Sequence, residues 1–192
     1  MIPRMRNSLV LLVAALGILL STISFAEGSG GCPVGLVSGL TLDDEFKEGA
    51  ADATRCVVNQ QRVKVLYQIN QECKNSACTA AYAIGNINNA IKDYTVTAGM
   101  SPNDFEIVAI VHSGGWPLIL DNTAQNPSPT ANKFQSDMQG LLDQGVKVYF
   151  CQNTARSHDI KLAQMIPGVK FVTSGVTAIT DFQKEGYKYV HP

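Results

Sequence analysis

Short apolar runs and segments of helical periodicity alternate along residues 62–192. Runs of β-favouring residues predict five strands, over 63–69, 105–111, 146–150, 169–172 and 187–190. Apolar residues three or four positions apart predict four helices between them, over about 80–94, 134–142, 153–165 and 176–184. Gly145 follows the second helix at the position of a C-cap glycine. Strand and helix therefore alternate from the first strand to the last.

This alternating order predicts an α/β fold with a parallel sheet and helices on both of its faces. Residues 105–111 and 146–150 are nearly unbroken apolar runs, as strands buried on both faces should be. Right-handed crossovers place the carboxyl ends of all parallel strands on one edge of the sheet. Ligand sites in such folds lie at that edge, so the residues that follow each strand are the candidates for chemistry.

The first 26 residues have the pattern of an export signal. Arg4 and Arg6 precede an apolar stretch over 8–20, and Ser24-Phe25-Ala26 offers the small residues of a cleavage site. The apolar stretch is shorter than a typical membrane span, and an uncleaved N-terminal anchor is the alternative. Cleavage would leave no stable membrane span, so we expect a periplasmic or secreted protein.

Residues 27–61 differ from the rest of the chain and form a leader, with a short helix predicted over about 42–53. Cleavage would leave 166 of the 192 residues, which suits one domain over 62–192 behind this leader. Loss of Arg4 and Arg6 reduces the 15 basic residues to 13, against 16 acidic ones. Such a chain has no basic stripe for nucleic acid, so we expect no nucleic-acid partner.

The chain has five cysteines, and all of them follow the predicted cleavage site: Cys32, Cys56, Cys73, Cys78 and Cys151. Cysteines of exported proteins tend to pair, and an odd number leaves one over. Cys73 and Cys78 lie in the loop after the first strand, which favours a local disulfide or a dithiol that works with Cys151. Cys32 and Cys56 bracket the leader and could be joined as well, but sequence does not determine connectivity.

Cys151 ends the third strand, at the point where a helix begins. The amides and macrodipole of a helix N-terminus favour a thiolate, which is the nucleophilic form of cysteine. Asn153 and Thr154 lie in the first turn of that helix, and Arg156 follows one turn in and would add positive charge. The alternative is a buried, unreactive thiol that only packs.

The neighbouring strands end in polar residues that would meet Cys151 at the same edge. The second strand ends at His112, which could orient or deprotonate the thiol or simply bond the next loop. Ser113 and Gly114 follow it and could present bare amides to an anion, although a plain tight turn explains them too. The first strand ends near Asn70. No motif indicates a cofactor, and a zinc or copper(I) site made by Cys73, Cys78, Cys151 and His112 is the weaker alternative.

Six segments of the chain resemble the DsrE/DsrF-like family: VKVLYQIN (63–70), AIGNINNAI (83–91), FEIVAIVHSG (105–114), GVKVYFCQNTARSHDI (145–160), PGVKFVTSG (167–175) and VTAITDFQKEGYKYVHP (176–192). The resemblance implies a flavodoxin-like three-layer sandwich with a mainly parallel five-stranded sheet, assembled as a homotrimer or homohexamer. In the sulfur-relay members, a cysteine at a strand end accepts sulfane sulfur as a persulfide. Cys151 matches that position, and His112 matches a polar neighbour less closely. Relay members are cytoplasmic, whereas this chain carries an export-like segment and extra cysteines.

The sequence thus predicts an exported, sulfurtransferase-like carrier that holds sulfane sulfur on Cys151. Its donor and acceptor would be small molecules or proteins. We expect His112 to manage the proton and the residues around the thiol to bind the sulfur anion: Asn153, Thr154, Arg156, Ser113, Gly114 and Asn70. The loop of Cys73 and Cys78 would protect or resolve the persulfide. The alternative from a different class is a non-catalytic, oligomeric binding or assembly module with structural disulfides.

Overall fold

Five parallel strands form the sheet in the computed structural model, which describes residues 61–124 and 130–192. The strands are β1 (Val63–Gln71), β2 (Phe105–Gly114), β3 (Lys147–Cys151), β4 (Lys170–Val172) and β5 (Lys188–Val190). Their order across the sheet is β4-β3-β2-β1-β5, and every adjacent pair is parallel. The five-stranded parallel sheet predicted from the sequence is therefore confirmed. The export-like segment, the leader and the helix expected over 42–53 lie outside the described residues.

Four α-helices and three shorter helical segments connect the strands in the part of the chain that the structure describes. The α-helices are α1 (Ile84–Lys92), α2 (Gln135–Asp143), α3 (Gln152–Ser157) and α4 (Gly175–Lys184). Shorter helical segments are a π-helix that extends α1 (Asp93–Thr97) and two 3-10 helices (Trp116–Ile119 and Leu162–Gln164). Among the helices that the structure describes, none combines the length and apolar character needed to cross a membrane.

Alternation of side chains along each strand divides the core into two layers. On the first face, β1, β2 and β3 pack with α1 and α2 around Ile69, Ile87 and Phe150. On the second face, a smaller cluster of Leu66, Val108 and Ile110 packs under α4, which runs between the edge strands β4 and β5 in the chain. Helices thus lie on both faces, as the strand–helix alternation predicts.

Two predicted helices differ from the observed ones at their ends. The helix predicted over 153–165 ends at Ser157, because Asp159 turns with φ of 52° and the amide of Ile160 donates back to the carbonyl oxygen of Ala155. Burial of Ile160 anchors this turn. The helix predicted from residue 80 begins only at Ile84, since residues 80–83 close the loop that follows β1. The C-cap position of Gly145 is confirmed, with φ of 85° and its amide donating to the carbonyl oxygen of Leu142.

Candidate functional site

The carboxyl ends of β1, β2 and β3 meet at one edge of the sheet. Val111 of β2 pairs with Phe150 of β3, so His112 and Cys151 are the next residues of the two strands. Alternation points both side chains to the second face, where the N-terminus of α4 lies. The sequence prediction that His112 and Cys151 share one edge is therefore consistent with the observed register.

Cys151 lies buried beneath hydrogen-bond donors from two helix starts. Its residue is 5% exposed, and its Sγ accepts a hydrogen bond at 3.2 Å from the amide of Gly175, the first residue of α4. Burial raises the pKa of the thiol. The amide and hydroxyl of Thr154, with the amides of Gly175 and Asn153, outweigh burial and lower the pKa below its ordinary value. The site therefore favours a thiolate inside the protein.

Gly175 allows α4 to begin this close to the thiol. A β-carbon at this position would lie 3.0 Å from Cβ and 3.2 Å from Cγ of His112. A larger residue would therefore push against the imidazole or move the start of α4 away from Cys151. Glycine thus permits the amide of residue 175 to reach the sulfur, and it places His112 directly against the same helix N-terminus.

The turn after β2 is built around Ser113 and is fixed to its neighbours on both sides. Ser113 has φ of 47°, a left-handed conformation that costs a non-glycine residue about 1 kcal/mol. Its amide donates to Oγ1 of Thr154 at 3.0 Å. Two residues on, a β-carbon at Gly115 would lie 2.7 Å from the carbonyl oxygen of Ile69, so only glycine fits there. The turn thereby aims the Ser113 amide at the residue that donates to the thiol.

His112 is buried, and its two ring nitrogens face residues other than Cys151. Nε2 lies 2.7 Å from Nε2 of Gln68, and Nδ1 lies 2.9 Å from Oγ of Ser113. Burial, and then the charge of His191, lower the pKa of the imidazole. The direct hydrogen bond of a Cys–His pair is therefore not formed. His112 instead contacts the residues that surround the thiol, and it does so as a neutral ring.

Cys73 and Cys78 lie at disulfide distance in the loop after β1, with Cα atoms 4.9 Å apart. The backbone of this loop closes on itself, since Cys73 pairs with Ala81 and the amide of Tyr82 donates to the carbonyl oxygen of Glu72. Glu72, Cys73 and Cys78 are also the described His, Cys and acidic side chains that come close enough to share a metal ion. Cys151 and His112 do not join that group, and a disulfide removes the thiolates that a metal needs. Cys32 and Cys56 lie outside the described residues.

The remaining predicted site residues divide into two groups. Asn153 supplies a backbone amide to Cys151, and Gly114 lies exposed beside Ser113. Arg156 is exposed and directs its guanidinium to Oδ1 of Asn153 at 3.3 Å, so its charge is not held at the sulfur. Asn70 accepts at 3.3 Å from Nε2 of His191, near the chain end. Asn153 thus belongs with the thiol. Gly114 pairs with Gln71 of β1, and Arg156 and Asn70 contact Asn153 and His191.

Three residues of this edge were not singled out from the sequence: Gly175, Gln68 and Tyr189. Gly175 follows the fourth strand, and the rule that strand ends converge could have found it. Gln68 is a polar residue directly after the buried run Val65–Tyr67, which is itself a signal. Tyr189 reaches the site because β5 pairs with β1. Sequence periodicity contains no information on that pairing.

Comparisons with known proteins agree with this architecture. The family model described as the DsrE/DsrF-like family matches residues 63–192. Among solved structures, the chain is similar to MTH1491 from Methanobacterium thermoautotrophicum, a protein of unknown function, with 23% identity and a TM-score of 0.53 over 69% of this chain and 100% of that one. It is also similar to the ychN protein from E. coli, with 17% identity and a TM-score of 0.48 over 68% and 99% of the two chains. No curated protein matches the chain at a significant level. MTH1491 supports the shared fold.

Proposed function

We propose, from the premise that this chain belongs to the DsrE/DsrF-like family, that Cys151 carries sulfane sulfur as a persulfide. The observation that carries this proposal is the hydrogen bond from the Gly175 amide to Sγ of Cys151, at 3.2 Å and beside the donors of Thr154. A thiolate is the form of cysteine that attacks sulfur, and these donors favour it by lowering the pKa of the thiol. The position of Cys151 at the carboxyl end of β3 is the usual position of a site in an α/β sheet.

The proposed step is an exchange between sulfur atoms. The Cys151 thiolate attacks the terminal sulfur of a donor R–S–SH, and a new sulfur–sulfur bond forms on Cys151. The donor's own sulfur–sulfur bond breaks, and R–S⁻ leaves with the electron pair. An acceptor thiolate then attacks the outer sulfur and returns Cys151 as a thiolate. The exchange conserves electrons, so it requires neither an oxidant nor a reductant.

The residues around the thiol have separate roles in this proposal. The Gly175 amide and the Thr154 hydroxyl stabilise negative charge on Sγ before attack and on the returning thiolate after transfer. Ser113 is exposed beside Thr154 and would contact the incoming donor, with Gly114 exposed as the next residue of the turn. A persulfide of a small molecule and a persulfide on a partner protein both present the same reactive sulfur. The donor is therefore defined by its chemistry, as a compound with a terminal sulfane sulfur.

One observation favours a second function, a binding or assembly module without sulfur chemistry. Cys151 is 5% exposed, which is the burial expected of a thiol that only packs. In such a module the disulfide of Cys73 and Cys78 would be structural, and the hydrogen bonds to Sγ would serve the fold. The two functions differ in one property of the folded protein, which is the accessibility of Cys151 to a sulfur donor.

The test is intact mass under non-reducing conditions, before and after incubation with polysulfide, followed by alkylation and peptide mapping. We expect Cys151 to gain one sulfur atom, to lose it with reductant, and to gain none in Cys151→Ser. Cys32→Ser/Cys56→Ser is the matched control, because it changes two cysteines to which the proposal assigns no role and should leave the gain intact. A folded protein whose Cys151 stays unmodified, and resists alkylation until unfolded, would favour the binding module.

We also propose that the protein acts after export and as a homotrimer or homohexamer, on the sequence pattern of residues 1–26 and on the family resemblance. Native mass spectrometry of the protein from its own cells tests both parts at once. We expect a mature chain that begins at Glu27, in an assembly of three or six copies. A chain that keeps Met1 and fractionates with the cytoplasm would contradict export, and a monomer would contradict the assembly.

A further inference from the structure

A line of hydrogen bonds crosses the second face of the sheet, from the edge strand β5 to the end of β3. We propose that Gln68 and His112 are positioning residues for Cys151, which hold the donors around its sulfur in place through the turn after β2. The line, termed here the relay, consists of Tyr189, Gln68, His112, Ser113, Thr154 and Cys151. The inference rests on the proposed function in one respect: it names the residues that govern the thiol proposed to carry sulfur.

The first half of the relay determines the protonation of His112. The hydroxyl of Tyr189 donates to Oε1 of Gln68, so the NH₂ group of Gln68 faces Nε2 of His112 at 2.7 Å. Nε2 must then be the unprotonated nitrogen, because two N–H groups cannot bond each other. The proton of a neutral ring is therefore on Nδ1. A buried imidazole with these partners is held as one tautomer and in one orientation.

The second half of the relay connects His112 to the thiol. Nδ1 of His112 donates to Oγ of Ser113 at 2.9 Å, and the amide of Ser113 donates to Oγ1 of Thr154 at 3.0 Å. Because Thr154 accepts there, its own proton is free to point at Sγ of Cys151, where it donates. Each donor along the relay thus points towards Cys151. The bonds up to Oγ of Ser113 hold the turn in place, and the Ser113 amide then holds Thr154 in the orientation from which its hydroxyl donates to the sulfur.

Two features of the backbone indicate that the relay is built for this purpose. Ser113 adopts a left-handed conformation at the point where the relay passes from its side chain to its amide. Backbone in such a region persists only when its surroundings hold it, and the bonds from His112 and to Thr154 do so. His112 also packs against Gly175, the second source of a donor to Cys151. One imidazole therefore supports both groups of donors at the sulfur.

The relay begins at an exposed residue and ends at a buried one. Tyr189 is 41% exposed and lies on β5, which pairs with β1 through Leu66. Gln68 is the next residue of β1 on the same face, between Leu66 and Asn70, and it pairs with Ile110 of β2. Gln68 contributes one polar group to each side, the oxygen to Tyr189 and the NH₂ to His112. An apolar residue there would interrupt the relay without touching the thiol.

The experiment measures the rate of Cys151 alkylation by iodoacetamide as a function of pH, in the purified full-length chain, with peptide mapping to quantify Cys151. We expect Thr154→Val to slow alkylation at neutral pH by about tenfold, and Gln68→Leu and His112→Leu by about threefold. Tyr189→Phe removes only an exposed hydroxyl and should slow it by about twofold. Thr154→Ser keeps the hydroxyl and His112→Asn keeps an N–H donor, so both should restore the wild-type rate.

The pH profile separates positioning from a structural defect. A positioning role moves the midpoint of the profile to higher pH, and the plateau does not fall, because a thiolate of higher pKa is the stronger nucleophile. A change in the plateau alone would mean altered access and would overturn the inference. Wild-type midpoints in Gln68→Leu, His112→Leu and Tyr189→Phe would also overturn it, because the relay would then end at Thr154. No sulfur donor enters this assay, so failure of persulfide formation leaves its result intact. If the folded thiol resists iodoacetamide, the ultraviolet absorbance of the thiolate as a function of pH gives the same midpoints without a reagent.

Discussion

Two cysteine-bearing segments, the loop after β1 and the junction of β3 with α3, lie at the same edge of the sheet and are opposite in character. The loop after β1 holds Cys73 and Cys78 half-buried and joined to each other, and a disulfide sulfur has no proton to lose. The end of β3 holds Cys151, the free cysteine among the described residues, beneath amide and hydroxyl donors. Position at the functional edge is therefore not sufficient for reactivity, and the groups around each sulfur decide its chemistry.

The difference arises from the segment that each strand leads into. After β1 the chain makes a closed loop, and the five-residue separation of Cys73 and Cys78 brings their Cα atoms to 4.9 Å. After β3 the chain enters α3 at once, and the start of α4 lies over the same sulfur. A cysteine partner in the first segment produces a disulfide, whereas hydrogen-bond donors in the second lower the pKa of a free thiol.

The largest expected effect comes from removal of the disulfide. Cys73→Ser/Cys78→Ser should lower the free energy of unfolding by about 2 kcal/mol, because a short cross-linked loop loses its constraint on the unfolded chain. Urea denaturation measures the free energy of unfolding, and the intact mass of the folded protein shows whether the disulfide is present. The alkylation midpoint of Cys151 should stay at its wild-type value. A shifted midpoint would show that the disulfide influences the thiol of Cys151 and would contradict the separation of the two segments.

The second effect comes from crowding the start of α4. Gly175→Ala should lower the free energy of unfolding by about 1–2 kcal/mol and slow the alkylation of Cys151, because a β-carbon 3.0 Å from His112 displaces the donor amide. Gly140→Ala is the matched control, since Gly140 lies inside α2 with no atom near its added β-carbon. That variant should gain up to about 1 kcal/mol from helix propensity. A Gly175→Ala protein with wild-type alkylation would show that this amide does not govern the thiol.

The third effect is a dependence of stability on pH that Cys151 should cause and the disulfide of Cys73 and Cys78 should not. Burial raises the pKa of Cys151, but the donors of Thr154 and Gly175 bring it below its ordinary value of 9.0. Between the folded pKa and 9.0 the unfolded chain holds a proton that the folded chain has lost, so stability rises with pH. The thiolate contribution is complete above 9.0 and disappears as pH falls through the folded pKa.

Urea denaturation of the wild-type protein and Cys151→Ser across this window measures that contribution. The difference between them should grow with pH, by no more than about 1.4 kcal/mol for each pH unit. The difference in unfolding free energy between the wild-type protein and Cys73→Ser/Cys78→Ser should change far less with pH, because a disulfide does not titrate. A constant difference for Cys151→Ser would mean that its pKa is the same in the folded and unfolded chains.

Sequence patterns predicted the sheet well because strand formation here is a local property. Nearly unbroken apolar runs such as residues 105–111 indicate burial on both faces, and the structure has that strand at Phe105–Gly114. The extent of α3 was wrong because its end depends on the burial of Ile160, which only tertiary packing decides. The placement of Cys151 and His112 at one edge followed from topology alone.

The contacts of the site were harder to predict than its location. The sequence places His112 near Cys151, but the partners of its ring depend on Gln68, which belongs to another strand. Gln68 in turn is oriented by Tyr189, whose approach requires β5 to lie beside β1 rather than beside β4. A contact between residues that are 121 positions apart in the chain leaves no periodic signal. Side-chain direction, rather than fold, was therefore the missing information.

The smallest expected effect concerns acid and the imidazole. Burial, followed by the charge of His191, lowers the pKa of His112 below 6.5, so the folded protein resists protonation there. Below 6.5 the unfolded chain binds a proton that the folded chain does not, and stability falls until the folded pKa is reached. His112→Asn should remove part of this acid loss, by about 0.5–1 kcal/mol, while keeping a donor to Ser113. Urea denaturation at neutral and mildly acidic pH measures it. If both proteins lose the same free energy of unfolding in acid, the proton binds at another residue. A smaller loss in the variant would assign the acid sensitivity to His112, beside the free thiol.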